Sequence, residues 1–443
     1  MKKTLLAILL VLTLCVFCFV ACDGEKTDAN DNAESGLKFE LNEDDNSYSV
    51  VGIGSYASAD LIIPAEFEGL PVTNIADESF TLNNDIVSVT IPDSVTSIGL
   101  NAFGGCTNIT DITIPDSVTS IGAGAFSGCA NLADVMIPDS VMSIGASAFS
   151  GCTNITDVTI PDSITSIGSN VFGGCTNLAS ITIPDSVTSI ELNAFGGCAN
   201  LAEITIPDSV TVIRNQAFMS CNSLTSVVIP DSVVEIGAFA FNDCQGLTSV
   251  TLGNGVTEIK NYTFSNCTSL TEVIIPDSVT SIGEWVFDGC SSLESVTIPD
   301  SVTSLGRVVF SKCTSLKSVK LPNGITNIGA EMFKGCTSLT SVTIPDSVTS
   351  IGFSTFNGCT SLTSVTIPGS VTHIDDYAFE GCTSLTSVTI GDGITMIDLG
   401  AFSGCTSLAT VNYTGSEEDW ARIMIVANES LTNATINYNY VVE

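Results

Sequence analysis

The segment Gly335–Gly352 reads GCTSLTSVTIPDSVTSIG, and close copies of it recur along the 443 residues of the chain. A phenylalanine occurs every 23 residues from Phe80 to Phe402, and a cysteine follows three residues later in every unit from Cys106 to Cys405. A strict period of this length indicates a solenoid, in which each unit buries its apolar side only against its neighbours. We therefore predict an α/β-type repeat solenoid, mostly β, with about fifteen coils of 23 residues.

Each unit contains its own strand and turn signals. Residues 339–344 alternate apolar and polar side chains, which is typical of a half-buried strand. Pro345 cannot donate a backbone hydrogen bond and is followed by two turn-forming residues. A second short extended segment comes next, and the spacing of Phe and Cys suits one helical or 3-10 turn. Seven positions of each unit are predicted to form buried columns, as at Leu339, Val342, Ile344, Val348, Ile351, Phe356 and Cys359.

The repeated pattern L-x-x-V-x-I-P-x-S-V-x-x-I-G-x-x-A-F-x-x-C resembles the BspA-like class of bacterial leucine-rich repeats over residues 86 to about 412. The resemblance implies a curved solenoid whose LTSVTI strands form a parallel sheet. It also implies a surface protein that attaches to host or neighbouring-cell proteins. Pro-Asp-Ser follows the strand where ordinary leucine-rich repeats have asparagine, so no asparagine ladder is expected.

Five segments divide the chain. Residues 1–21 begin with two lysines and continue as an apolar run, as in a secretory signal peptide. Residues 22–36 are acidic and polar, which predicts a flexible tether. Residues 37–75 are interpreted as an N-terminal cap hairpin and the entry to the first coil. Residues 76–412 form the leucine-rich repeat solenoid and 413–443 the C-terminal cap, which open-ended solenoids need.

The end of the leader predicts where the protein is located. The stretch Phe19–Cys22 resembles the lipobox of bacterial lipoproteins, which implies lipid attachment at Cys22. A plain signal peptide cut nearby is the alternative. We expect an exported protein, lipid-anchored to the bacterial membrane and exposed at the cell surface.

Composition excludes some partners. The chain has 48 acidic and 12 basic residues, which gives a formal net charge of −36. Such a chain repels nucleic acids and anionic lipid surfaces. Contact with the membrane is therefore expected only through the N-terminal lipid.

The residue types offer little for catalysis. The repeat cysteines lack the clustered partners of a zinc site, which predicts mostly free, buried thiols, with disulfides between stacked coils as the alternative. The Pro-Asp-Ser aspartates are equivalent from coil to coil, whereas a catalytic pair needs two different environments. His373, the single histidine, is interpreted as a chance substitution on an exposed face. We predict no enzymatic activity, no cofactor and no metal.

The outward side of the strands is the candidate binding face. Acidic residues gather in its N-terminal half, threonines form a second column, and basic residues gather further along. The candidate residues are Asp111, Asp134, Asp157, Glu203, Thr113, Thr159, Thr182, Thr205, Arg307, Lys317 and Lys320. Long solenoid faces suit protein partners. We predict binding of, or adhesion to, a host or neighbouring-cell surface or matrix protein; a self-associating structural envelope protein is the alternative.

Overall fold

The computed structural model describes residues 30–31 and 36–442. The signal peptide predicted at 1–21 and the lipid site predicted at Cys22 lie outside these residues. Within the predicted tether, β1 (Asn30–Asp31) pairs antiparallel with β2 (Lys38–Leu41).

Two hairpins form the N-terminal end. β2 pairs antiparallel with β3 (Tyr48–Gly52), and β5 (Glu66–Phe67) pairs antiparallel with β6 (Leu70–Ile75). The rings of Phe39 and Phe67 stack with centroids 4.2 Å apart and are buried. Two large apolar rings therefore cover the end of the solenoid that would otherwise expose its core.

The LTSVTI segments form one side of the solenoid, which we call the first ladder. Its strands pair in parallel with the next coil in register, for example Val89 with Ile112 and Val158 with Ile181. The strands are β4 (Asp60–Ile62), β7 (Ser88–Thr90), β9 (Asp111–Thr113), β11 (Asp134–Met136), β13 (Asp157–Thr159), β15 (Ser180–Thr182), β18 (Ser226–Val228), β20 (Ser249–Thr251), β22 (Glu272–Ile274), β24 (Ser295–Thr297), β26 (Ser318–Lys320), β29 (Ser364–Ile367), β31 (Ser387–Ile390), β33 (Thr410–Tyr413) and β35 (Thr435–Asn437).

The short segments after the Pro-Asp-Ser turn form the second ladder, again parallel and in register. β3 and β6 begin it, and β3 pairs with β6. The other strands are β8 (Ser97–Ile98), β10 (Ser120–Ile121), β12 (Ser143–Ile144), β14 (Ser166–Ile167), β16 (Ser189–Ile190), β17 (Val212–Ile213), β19 (Glu235–Ile236), β21 (Glu258–Ile259), β23 (Ser281–Ile282), β25 (Ser304–Leu305), β27 (Asn327–Ile328), β28 (Ser350–Ile351), β30 (His373–Ile374), β32 (Met396–Ile397) and β34 (Met424–Ile425).

The third side of each coil carries the Phe and Cys residues. This segment is not the predicted helical or 3-10 turn, because residues with left-handed backbone conformation interrupt it: Gly124 and Gly128 have φ of 61° and 74°. Left-handed residues at both positions prevent a right-handed helix from forming. The Cys129 N–H still donates to the Phe126 carbonyl at 3.1 Å, and the Phe126 N–H donates to Ala148 of the next coil at 2.8 Å. Hydrogen bonds therefore join the coils on this side as well.

The predicted core columns are confirmed. All seven positions of the unit that begins at Leu339 are buried, and the corresponding residues of the other coils form one continuous core, with Ile144, Ile204 and Leu305 partly buried against it. The repeat phenylalanines from Phe80 to Phe402 stack with ring centroids 5.0 to 5.9 Å apart. Parallel rings at this spacing add to the burial of each aromatic side chain.

The ends of the chain lengthen the solenoid. β4 and β35 continue the first ladder, and β3 and β34 continue the second; of these strands only β4, which runs into Ile63-Pro64, carries part of the repeat sequence. The solenoid therefore has about seventeen coils, not about fifteen.

The C-terminal end contains the two helices of the described residues, α1 (Glu417–Trp420) and α2 (Glu429–Thr432). The Trp420 ring meets that of Tyr413 edge-on at 5.1 Å. Ile423 and Ile425 also pack against the last part of the core.

Candidate functional site

The outward face of the first ladder contains most of the predicted binding residues. Each three-residue strand buries its central side chain and leaves the two flanking ones exposed or partly exposed, because successive side chains of a strand point to opposite sides. All eight predicted acidic and threonine residues are exposed. Glu203 and Thr205 lie in a segment outside the strands, between β16 and β17, and remain exposed.

Three acidic side chains of this face lie directly beside one another. Asp134 pairs in register with Asp111 on one side and with Asp157 on the other. Adjacent strands are about 4.8 Å apart. Like charges directly opposite one another destabilise a sheet, so this row of carboxylates attracts cationic groups from outside.

The turn after each strand adds a second acidic column at the edge of the same face. Asp116, Asp139 and Asp162 are exposed. The neighbouring serine of the turn donates to the preceding coil, as Ser117 Oγ does to the Val95 carbonyl at 2.6 Å. The serine therefore ties coils together and leaves the aspartate free to face solvent.

Shallow depressions run along this face. One is lined by Thr182, Asp185, Thr205 and Asp208, so it brings together two of the predicted threonines with carboxylates from the turn column. Another is lined by Ile274, Thr297, Asp300 and Lys320. Both are open grooves between the strands and the Pro-Asp-Ser turns.

The basic residues do not form a single patch. Lys317 and Lys320 lie on the first ladder or beside it, whereas Arg307 lies at the turn after the second ladder. Each is paired with an acid of the preceding coil: Lys317 with Glu294 at 2.8 Å, Lys320 with Asp300 at 3.7 Å and Arg307 with Glu284 at 3.1 Å. Lys312 is likewise paired with Asp288 of the preceding coil, whereas Lys334 pairs with Glu331 of its own coil.

The fourteen repeat cysteines are free thiols and are buried. Each Sγ donates a hydrogen bond to the phenylalanine carbonyl of the preceding coil at 2.9 to 3.3 Å, as Cys267 does to Phe241. Burial raises the pKa of the Cys106 thiol to about 11 and that of the Cys244 thiol to about 12. Such thiols are poor nucleophiles and poor metal ligands, since both roles require the thiolate.

His373 has one sequence neighbour, Asp375, and one residue of the next coil, Asp398, as partners, and only the second was missed from the sequence. The structure places the carboxylates of Asp375 and Asp398 within hydrogen-bond distance of its Nε2 atom. The 23-residue period could have identified Asp398, because position 398 lies one repeat after position 375 and therefore beside it in the next coil.

Comparison with known proteins identifies the repeat. A family model described as BspA type leucine rich repeat region (6 copies) matches three overlapping stretches of the chain, residues 73–202, 188–317 and 303–432. The chain belongs to the BspA-type leucine-rich repeat family. No curated protein matches it.

Solved structures agree with this assignment. A leucine-rich repeat protein from Bacteroides ovatus is 30% identical with a TM-score of 0.72, and the match covers 92% of this chain and 100% of that one. A leucine rich cell surface protein from Faecalibacterium prausnitzii is 30% identical with a TM-score of 0.50, covering 90% and 98%. BspA-type proteins are typically secreted or at the cell surface, and leucine-rich repeat proteins generally bind other proteins and are typically not enzymes.

In the part of the chain that the structure describes, no helix has the length and apolar character needed to span a membrane.

Proposed function

We propose that this BspA-type protein is an adhesin without enzymatic activity, displayed at the cell exterior, which binds a protein partner through the acidic part of the first-ladder face. The register-paired aspartates Asp111, Asp134 and Asp157 carry the proposal. The partner is a host or neighbouring-cell surface or matrix protein with a basic surface that complements these carboxylates.

The charge distribution supports this choice of face. Between Lys38 and Arg214 the chain contains 21 acidic residues and no Lys, Arg or His. The basic residues of the C-terminal half, by contrast, are held by neighbouring acids. An unbalanced acidic surface speeds and orients the approach of a basic partner.

Neutralising the row of aspartates is expected to weaken binding at least tenfold. A panel of purified matrix and cell-surface proteins is screened by biolayer interferometry, and the captured partner is titrated against the triple variant Asp111→Asn, Asp134→Asn, Asp157→Asn. The three substitutions remove the negative charges of the row without altering side-chain size. The affinity of the wild type is also expected to fall with added salt, because salt screens the electrostatic attraction.

The matched control removes three charges from the N-terminal hairpins: Glu40→Gln, Glu43→Gln, Asp45→Asn. These residues are exposed and lie off the first-ladder face. Equal affinity of the two triple variants would refute the proposed face. Concentration-dependent assembly in light scattering, with no captured partner, would instead support the structural envelope protein.

We further propose that a lipid on Cys22 holds the protein at the membrane, on the basis of the lipobox-like stretch Phe19–Cys22. The Cys22→Ser variant is expected to move from the membrane fraction to the soluble fraction, because it has no thiol to acylate. Cys18→Ser is the matched control, since it removes a leader thiol outside the expected attachment point. A mass spectrum in which the N-terminal peptide carries no lipid would contradict the anchor. Unchanged membrane association of Cys22→Ser would also contradict it.

A further inference from the structure

His373 faces two carboxylates on the second ladder. Its Nε2 atom lies 2.8 Å from Oδ1 of Asp375 and 2.9 Å from Oδ2 of Asp398. His373 and Asp375 are two residues apart at the end of β30, so both project to the same side, and Asp398 follows β32 in the next coil. One potential ligand atom of each residue lies within 4.8 Å of the other two. The three side chains are 33%, 41% and 20% exposed, so an ion from solution can reach them.

Two of these residues stand where the repeat usually has glycine. The position after the isoleucine of the second ladder is glycine in most coils, as at Gly352. The column is crowded, since a Cβ on Gly352 would lie 2.9 Å from the backbone nitrogen of Ala330. Asp375 and Asp398 nevertheless place carboxylates here in two successive coils. Adjacent like charges destabilise a sheet, so a group that compensates them is expected between them.

Charged residues elsewhere in these columns neutralise one another. Glu235, which occupies the column of His373, lies 2.6 Å from Lys260 and 2.9 Å from Arg214. The hydrogen bond from Lys260 is the main reason why the pKa of Glu235 is below its usual range. At His373 acidic and basic groups are unequal in number, because two carboxylates lie beside one imidazole. Its Nε2 carries at most one proton, which can be donated well to only one of the two oxygens.

We propose that His373, Asp375 and Asp398 bind a divalent transition-metal ion of the zinc class. An imidazole nitrogen combined with carboxylate oxygens suits such ions, whereas calcium and magnesium take oxygen ligands. Ligand atoms bound at about 2.1 Å in the tetrahedral arrangement that zinc prefers lie about 3.4 Å apart. The separations of 2.8 and 2.9 Å between Nε2 and the two oxygens are about 0.5 Å shorter, so the side chains would move slightly apart to admit the ion. Water completes the coordination on the exposed side, and the ion links two neighbouring coils.

Calorimetric titration of the full-length protein with ZnCl2, without a polyhistidine tag, tests the proposal. We expect a site of micromolar affinity that is weakened at least tenfold in His373→Ser and in Asp398→Asn. Serine is the usual residue in the column of His373, so His373→Ser preserves the repeat. The matched control is Asp376→Asn, which retains the oxygen that accepts the Leu399 N–H at 2.9 Å and is expected to bind Zn²⁺ as the wild type does.

Nuclear magnetic resonance supplies an independent readout. Because His373 is the single histidine, its imidazole signals report this site alone. We expect Zn²⁺ to shift or broaden them at one equivalent and EDTA to restore them. Unchanged imidazole signals at saturating Zn²⁺ would overturn the proposal. Equal uptake of Zn²⁺ by the wild type and His373→Ser would also overturn it, and would assign the ion to other acidic residues.

Discussion

Raising the pH from 8 to 10 is expected to destabilise the solenoid strongly and to unfold its less stable coils. Burial raises the pKa of twelve repeat thiols, from Cys106 to Cys359, above their ordinary value of 9, and a hydrogen bond with Cys405 together with burial raises that of Cys382; Cys175 and Cys359, for example, rise to about 12. The folded state therefore holds these protons more tightly than the unfolded chain does. The stability that the folded state gains from these protonated thiols is complete below pH 9. It is lost as the pH rises from 9 towards the raised pKa values of the thiols.

The size of the effect follows from the number of thiols. One pH unit above the ordinary pKa, each buried thiol lowers the free energy of unfolding by about 1.4 kcal/mol. The loss is about 1.4 kcal/mol per coil, against the roughly 1–3.5 kcal/mol that about 0.05–0.15 kcal/mol per residue gives for a 23-residue coil, so the less stable coils should unfold. Circular dichroism measured against pH, with thiolate absorbance at 240 nm recorded in parallel, should show both changes together.

Two controls separate the thiols from other causes of alkaline unfolding. In the triple variant Cys221→Ala, Cys244→Ala, Cys267→Ala, unfolding should release three fewer protons above pH 9. At pH 8 the repeat thiols of the folded protein should not react with a thiol reagent, and fourteen more should react per chain after unfolding without reductant. Thiolate absorbance that rises while the circular dichroism is unchanged would show that the thiols ionise in the folded state, contrary to the prediction.

Replacing one central ring of the phenylalanine column is expected to destabilise the solenoid by about 3–5 kcal/mol. Phe241 is fully buried, and its ring lies 5.2 Å from that of Phe218 and 5.6 Å from that of Phe264. The variant Phe241→Ala removes both stacking contacts and leaves a cavity between three coils. Because each coil contacts only its neighbours, the loss is concentrated at one point along the solenoid.

Urea unfolding combined with hydrogen exchange measures this effect. We expect a lower midpoint and faster exchange in the coils next to position 241, with the distant coils still protected. Phe353→Ala is the matched control, since Phe353 is 42% exposed, and it should change the stability by less than about 1 kcal/mol. Equal destabilisation by both variants would show that the column does not hold the coils together.

The repeat made the architecture predictable. Leu339 and Phe356 are buried because an alternating segment and a fixed period leave them only one apolar surface, that of the adjacent coil. The number of coils was underestimated because Asp60–Ile62 and Thr435–Asn437 join the ladder by backbone pairing, which needs no repeat sequence. The prediction of a helical turn was wrong because Phe–Cys spacing does not reveal the left-handed residues, which lie two positions before the Phe and directly before the Cys. Even Trp285 adopts φ of 61° at the position where Gly124 does.

The candidate sites were likewise predictable from the sequence only in part. The alternation of apolar and polar residues along each strand predicts from the sequence that positions 111, 134 and 157 are exposed. The pairing of Lys317 with Glu294 was also accessible, since the two are 23 residues apart, but interpretation along the chain grouped Lys317 with nearby basic residues instead. His373 was judged by its sequence neighbours alone, whereas one of its partners lies in the next coil.

The in-register stacking makes the length of this molecule adjustable. Removing or adding a whole 23-residue unit re-forms the same contacts between the coils that become neighbours, and changes the body by about 4.8 Å. Loss of any other number of residues would rotate every downstream Phe and Cys out of its column. Nearly identical units such as those around Cys336 and Cys359 are also suitable substrates for unequal recombination. The length of the solenoid can thus change only in steps of whole coils.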